Sequence, residues 1–144
     1  MKVSTRGHYG LRAVVAISRM AKSGMPVSVS EVAESESLSD PYLEQLVSRL
    51  RRAGILRSYR GARGGYELLR DPDTITVGEI LKATGEQIVF PEDLTPAGAS
   101  GYGRPAQAFW NDLSEAVAKM MDETTVGDLI RRWDAENPPA SPRN

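Results

Sequence analysis

The chain has 144 residues, 40% of them hydrophobic, which suffices for one modest core and does not suggest a multidomain enzyme. No apolar run approaches the roughly 20 residues that cross a bilayer, and Met1 to Arg6 lacks the apolar stretch of a signal peptide, so a cytoplasmic protein is expected. The absence of Cys excludes disulfides, thiolate zinc sites and cysteine-ligated clusters, while the net charge of −1 conceals a division: residues 1–70 carry 12 Lys and Arg against 6 Asp and Glu, residues 71–144 carry 6 against 13.

Ser4 and Thr5 are N-cap candidates for a first helix with an apolar stripe of Leu11, Val14, Val15, Ile17 and Ala21, stopped by Gly24 and Pro26. Ser28 and Glu31 fit a capping box, so a short helix carrying Val32 and Ala33 is predicted to run to about Ser35. A third helix opens at Ser39, with Asp40 favourable at the positive end of the dipole and Pro41 tolerated in the first turn. Within it Leu43, Leu46, Val47 and Leu50 form one buried stripe at i, i+3, i+4, i+7. Tyr42, Gln45, Arg49 and Arg52 fall on another face, centred about 130° away, and are expected to be free to touch a partner. Gly54 ends this helix.

The runs 55–59 and 66–70 read as short strands joined by Arg60-Gly61-Ala62-Arg63-Gly64-Gly65, a hairpin longer than two residues with two Arg at its tip. Thr76 and Glu79 form a second capping box, opening a short helix through Ile80 and Leu81 to Gly85. Pro and Gly at 91, 96, 98, 101, 103 and 105 make residues 87–105 a loop. Trp110, Leu113, Val117 and Met120 or Met121 then mark an amphipathic helix from about Pro105 to Glu123. Thr125 and Asp128 start a last short helix with Leu129, Ile130 and Trp133. The expected division is therefore residues 1–86, the loop 87–105, a helical region 106–133, and a disordered tail 134–144.

Three helices, the third with a basic outer face, followed by an Arg-tipped hairpin, give the order of a winged helix-turn-helix: mainly α with a small β-hairpin wing and a long additional helix. A recognition helix brings its N-terminal residues nearest the base edges of the major groove, which nominates Ser39, Asp40, Tyr42 and Gln45. Gln bonds bidentately to adenine, whereas Arg49 and Arg52 suit phosphate. Small residues around Arg60 and Arg63 fit a wing that approaches a minor groove, and Lys2, Arg6 and Arg12 could hold phosphates at the start of the first helix. One such domain makes few contacts, so pairing on a two-fold axis through Trp110, Leu113, Val117 and Met120 is expected, although the same stripe would also serve to pack on the chain's own core.

Ser4-Thr5-Arg6-Gly7-His8-Tyr9-Gly10, Tyr42-Leu43-Glu44-Gln45-Leu46, the wing Arg60 to Tyr66, Phe109-Trp110-Asn111-Asp112-Leu113-Ser114-Glu115 and Thr125 to Leu129 together resemble the Rrf2 family of bacterial regulators over nearly all of residues 1–133. The resemblance implies a homodimeric winged-helix repressor of transcription, with links to cysteine or iron-sulfur metabolism, in which the Trp110 helix crosses its partner. Cluster-binding relatives carry three Cys and a His in the loop before that helix; the positions here hold Glu92, Gly98, Arg104 and Gln107, so no cofactor is expected and a small molecule or protein is the expected effector. The lone His8 reads as structural or phosphate-facing, and Glu86, Glu92 and Asp93 as an acidic surface rather than a cation site. A protein-interaction module on the same fold is the alternative, and an enzyme is disfavoured because His8 has no evident acid-base partner.

Overall fold

Ser4 opens the first helix as its position predicts: its side chain accepts a hydrogen bond from the Gly7 N–H, and α1 runs over Thr5–Met20. The computed structural model describes residues 2–22, 24–90 and 101–142. Helix α2 (Val29–Glu36) has the full Ser28/Glu31 capping box and ends at Ser37, whose φ of +55° turns the chain towards the next helix. Helix α3 (Asp40–Arg52) is capped by Ser39 and buries the stripe Leu43, Leu46, Val47 and Leu50.

Strands β1 (Leu56–Tyr59) and β2 (Gly65–Leu68) pair antiparallel, with Tyr59 opposite Gly65, so residues 60–64 form the tip of the wing. Val27 and Tyr66 also exchange backbone hydrogen bonds of 3.0 and 2.8 Å, which ties the wing to the connection between α1 and α2. A bridge one residue long leaves no alternating run, so the sequence gives no sign of it. Pro72–Thr74 forms a 3-10 turn that the sequence reading passes over, and α4 (Val77–Ala83) follows from the Thr76/Glu79 capping box.

Helix α5 (Gly103–Glu123) begins two residues before the predicted Pro105, which sits in the first turn where its missing N–H costs nothing. Helix α6 (Val126–Glu136) opens on the Thr125/Asp128 capping box and takes in Asp134–Glu136, residues assigned above to the tail; the breakers begin only at Pro138. Glu92, Asp93 and the Pro and Gly residues at 91, 96 and 98 lie outside the described residues.

Ile17, Leu43, Leu46, Leu50, Ile55, Ile75 and Ile80 form the centre of one core shared by α1, α3, α4 and the base of the wing. Helix α1 and the end of α4 approach closely because positions 7 and 10 have no side chain: a Cβ on Gly10 would run into Thr84, and one on Gly7 into Glu86. Helix α6 is attached through hydrogen bonds of 2.9 Å from Val77 N–H to Thr124 O and from Val126 N–H to Ile75 O. Arg131 adds 2.8 Å contacts to both Asp73 and Asp128.

Candidate nucleic-acid interface

The buried stripe of α3 fixes its outer face by default. Gln45, Arg49 and Arg52 are exposed and line one shallow groove with Glu44 and Ser48. Arg52 lies back along its own helix, 3.4 Å from both the carbonyl oxygen and the hydroxyl of Ser48. Tyr42 departs from the expectation of a free side chain: it is half-buried and its ring meets Tyr9 edge-on at 6.2 Å. Its place one turn before Leu46 puts it on the flank of the buried stripe, where packing wins over exposure. Ser39 spends its oxygen on the Tyr42 N–H, and the Asp40 carboxylate accepts a 2.6 Å hydrogen bond from the Ser30 hydroxyl. Both residues hold the start of α3, leaving the Gln45 amide exposed on this face.

On one side of α3, a cleft lined by Ser30, Glu44, Arg51, Arg60, Gly64 and Tyr66 separates the helix from the wing. Arg60 and Arg63 are exposed and form no ion pair or hydrogen bond among the described residues. Below them the hairpin is stiffened by Glu67, which is buried and accepts 2.6 Å hydrogen bonds from Arg57 Nη2 and the Tyr59 hydroxyl. The Tyr59 bond holds the Glu67 carboxyl below its ordinary range, and the same bond pushes the Tyr59 hydroxyl up. Sequence reasoning missed this trio and counted Arg57 with the other arginines. The pairing becomes visible once the strand register sets Arg57 opposite Glu67.

On the other side of α3, Lys2 and Arg6 are exposed at the start of α1, and Arg49 and Arg6 both reach the Gly85 turn. Glu86 caps this corner, accepting from both the backbone N–H and the hydroxyl of Ser4. Arg12, in contrast, is paired with Glu36 at 2.6 Å and stacked 5.1 Å from the Tyr9 ring centre. His8 is exposed beside Tyr9, 5.2 Å between ring centres. Among the described residues, cations without partners thus stand on both flanks of α3, Arg60 and Arg63 by the wing and Arg6 and Arg49 by α1, whereas Arg12 and Arg57 are engaged by Glu36 and Glu67.

Helix α5 has no buried residue along its 21 positions. Phe109 is 57% exposed, Trp110 36% and Met120 69%, while Leu113 and Val117 are half-buried. Phe109, absent from the predicted stripe, stands edge-on to Trp110 with ring centres 5.1 Å apart. Of the four positions where cluster-binding relatives carry ligands, Glu92 and Gly98 lie outside the described residues, Arg104 is an exposed cation, and the Gln107 amide donates to Asn111 at 3.1 Å. A set without a thiolate does not fit the cluster.

The profile of the Rrf2 family, described as iron-dependent transcriptional regulators, matches residues 3–132. The chain is 39% identical over 137 residues to the HTH-type transcriptional regulator CymR of Bacillus subtilis, covering 94% of each chain. It is 41% identical over 138 residues to the HTH-type transcriptional regulator IscR of Cereibacter sphaeroides, covering 91% of this chain and 88% of the relative. The solved structure of CymR, the global cysteine regulator of B. subtilis, superposes with a TM-score of 0.79 at 36% identity, over 92% of this chain and 98% of that one. These relatives are transcriptional regulators rather than enzymes. No helix among the described residues is long and apolar enough to cross a membrane.

Proposed function

The chain belongs to the Rrf2 family of DNA-binding transcriptional regulators, and from that premise we propose that it is a cytoplasmic, non-enzymatic repressor that binds a palindromic operator as a homodimer. The observation that carries the reading is the flanked recognition helix: Gln45 exposed on α3, Arg60 and Arg63 without partners among the described residues on one side, Arg6 and Arg49 likewise on the other. In this reading Gln45 bonds to a base edge, Ser39, Asp40 and Tyr42 set the helix at the groove, and Arg49, Arg52, Lys2 and Arg6 take phosphates. The wing presents Arg60 and Arg63 to the minor groove.

The dimer forms through α5. A helix about 30 Å long with no fully buried residue leaves Trp110 and Met120 of its apolar stripe exposed and Leu113 and Val117 only half-covered. Covering Trp110, Leu113, Val117 and Met120 with the same stripe of a second copy stabilises by about 1.5–3 kcal/mol for each large side chain fully buried. Residues 1–86 then act as the DNA-binding unit, 106–133 as the pairing unit, and 87–105 as the place where a small-molecule or protein effector acts without an iron-sulfur cluster. The regulated processes fall in cysteine or iron-sulfur metabolism, by likeness to CymR and IscR. A gel-shift assay with a pool of fragments spanning the gene's own promoter tests the reading. One fragment retained above the rest, with affinity falling steeply as salt rises, supports it; retention no better than for random duplex refutes it.

A further inference from the structure

Gly85 follows α4 with a φ of +81°, a left-handed turn that favours glycine. Two cations from different elements converge on it: a Cβ built on Gly85 would lie 3.3 Å from Nη2 of Arg6 and 3.6 Å from Nη1 of Arg49. Arg6 belongs to the first turn of α1, Arg49 to the last turn of α3. Neither forms an ion pair or hydrogen bond among the described residues. The adjacent carboxylate does not neutralise them, because Glu86 is turned to Ser4 and the first turn of α1.

Like charges repel, and two guanidinium groups gathered at one turn with no ion pair to either among the described residues favour an anion that joins them. We infer that Arg6, Arg49 and the Gly85 turn form a single clamp for one phosphate of duplex DNA; the inference rests on the DNA-binding reading above. Both groups lie against the Gly85 turn, which puts Nη2 of Arg6 and Nη1 of Arg49 no more than about 7 Å apart, a span one tetrahedral phosphate bridges by accepting from each through a different oxygen, in the charge-assisted geometry arginine favours. The position gives the clamp its purpose. Arg51 of α3 faces the wing, whereas Arg49 lies about 160° round the helix from it, towards α1 and α4. A phosphate held there, opposite the wing, fixes the roll of α3 about its own axis and so the depth at which Gln45 meets the bases.

The test compares wild type with Arg6→Gln, Arg49→Gln and the double variant on a generic duplex and on any promoter fragment the protein selects, across a salt series. Each single variant should weaken binding to both duplexes by the same factor. In the double variant the slope of log affinity against log salt should fall by about 1, as for one lost phosphate, and the two free-energy losses should not add. Thermal midpoints should hold or rise, since a repulsion has been removed. A slope lower by about 2 with additive losses, unchanged affinity, or a lowered midpoint overturns the clamp. The generic duplex keeps the arms separate: a protein that selects no fragment fails as an operator-reading regulator while its clamp is still scored, and a protein that binds no duplex fails on both counts.

Discussion

Gln45 and Tyr42 are three residues apart on α3 and yet are used differently, because three residues fall about 60° short of a full turn and set Tyr42 round from the exposed face to the flank of the core. Gln45→Ala should relax base preference at one position per half-site, at a cost of about 1–3 kcal/mol, with little effect on generic duplex; equal weakening on every sequence, read by competition with single-base operator variants, would refute base readout. The wing arginines act through charge alone in this account. Arg60→Ala and Arg63→Ala should therefore each weaken binding on all sequences and flatten its salt dependence. A change in base preference with an unaltered salt slope would contradict that assignment. At this scale the sequence was informative about residue type and poor about partners. Seven arginines between Ser39 and Arg70 look alike on paper, but Arg57 is spent on Glu67 and Arg70 on Glu79. Such pairings depend on register and on contacts between elements, which no local pattern encodes.

The elements themselves were legible because their ends are written in side chains. Ser4, Ser28, Ser39, Thr76 and Thr125 all cap the helices their positions announce. What stayed hidden was short or non-local: the 3-10 turn, the Val27–Tyr66 bridge, and the start of α5 before Pro105. The three capping boxes also carry a pH dependence. Backbone N–H groups of Ser28, Thr76 and Thr125 hold the carboxyls of Glu31, Glu79 and Asp128 below their ordinary values, Asp128 at about 2. A depressed folded-state value means that the stabilisation is complete above the ordinary range and is lost as the pH falls through the folded value. The thermal midpoint, followed by circular dichroism, should drop between pH 4.5 and about 2. Glu31→Gln, Glu79→Gln and Asp128→Asn together should shallow that drop, since amides keep much of the cap but do not titrate; an equally steep drop would place the acid sensitivity elsewhere.

Across the whole molecule, charge is partitioned so that the basic half holds the reading helix and wing while the acidic half holds α5 and α6. Composition showed this division only after the chain was split, because the halves nearly cancel. The stripe of α5 is partly exposed on the single chain, and in the proposed dimer a second copy would cover it with the two-fold symmetry a palindrome needs. Leu113→Glu should yield monomers by light scattering, and an unchanged mass would remove α5 from the interface. Hydroxyl-radical footprinting on the gene's own promoter tests the central claim most directly. The account predicts two symmetric protected half-sites whose centres lie about 10–10.5 base pairs, or a multiple of that, apart. Uniform cleavage, or a single protected half-site bound by one chain, would contradict it.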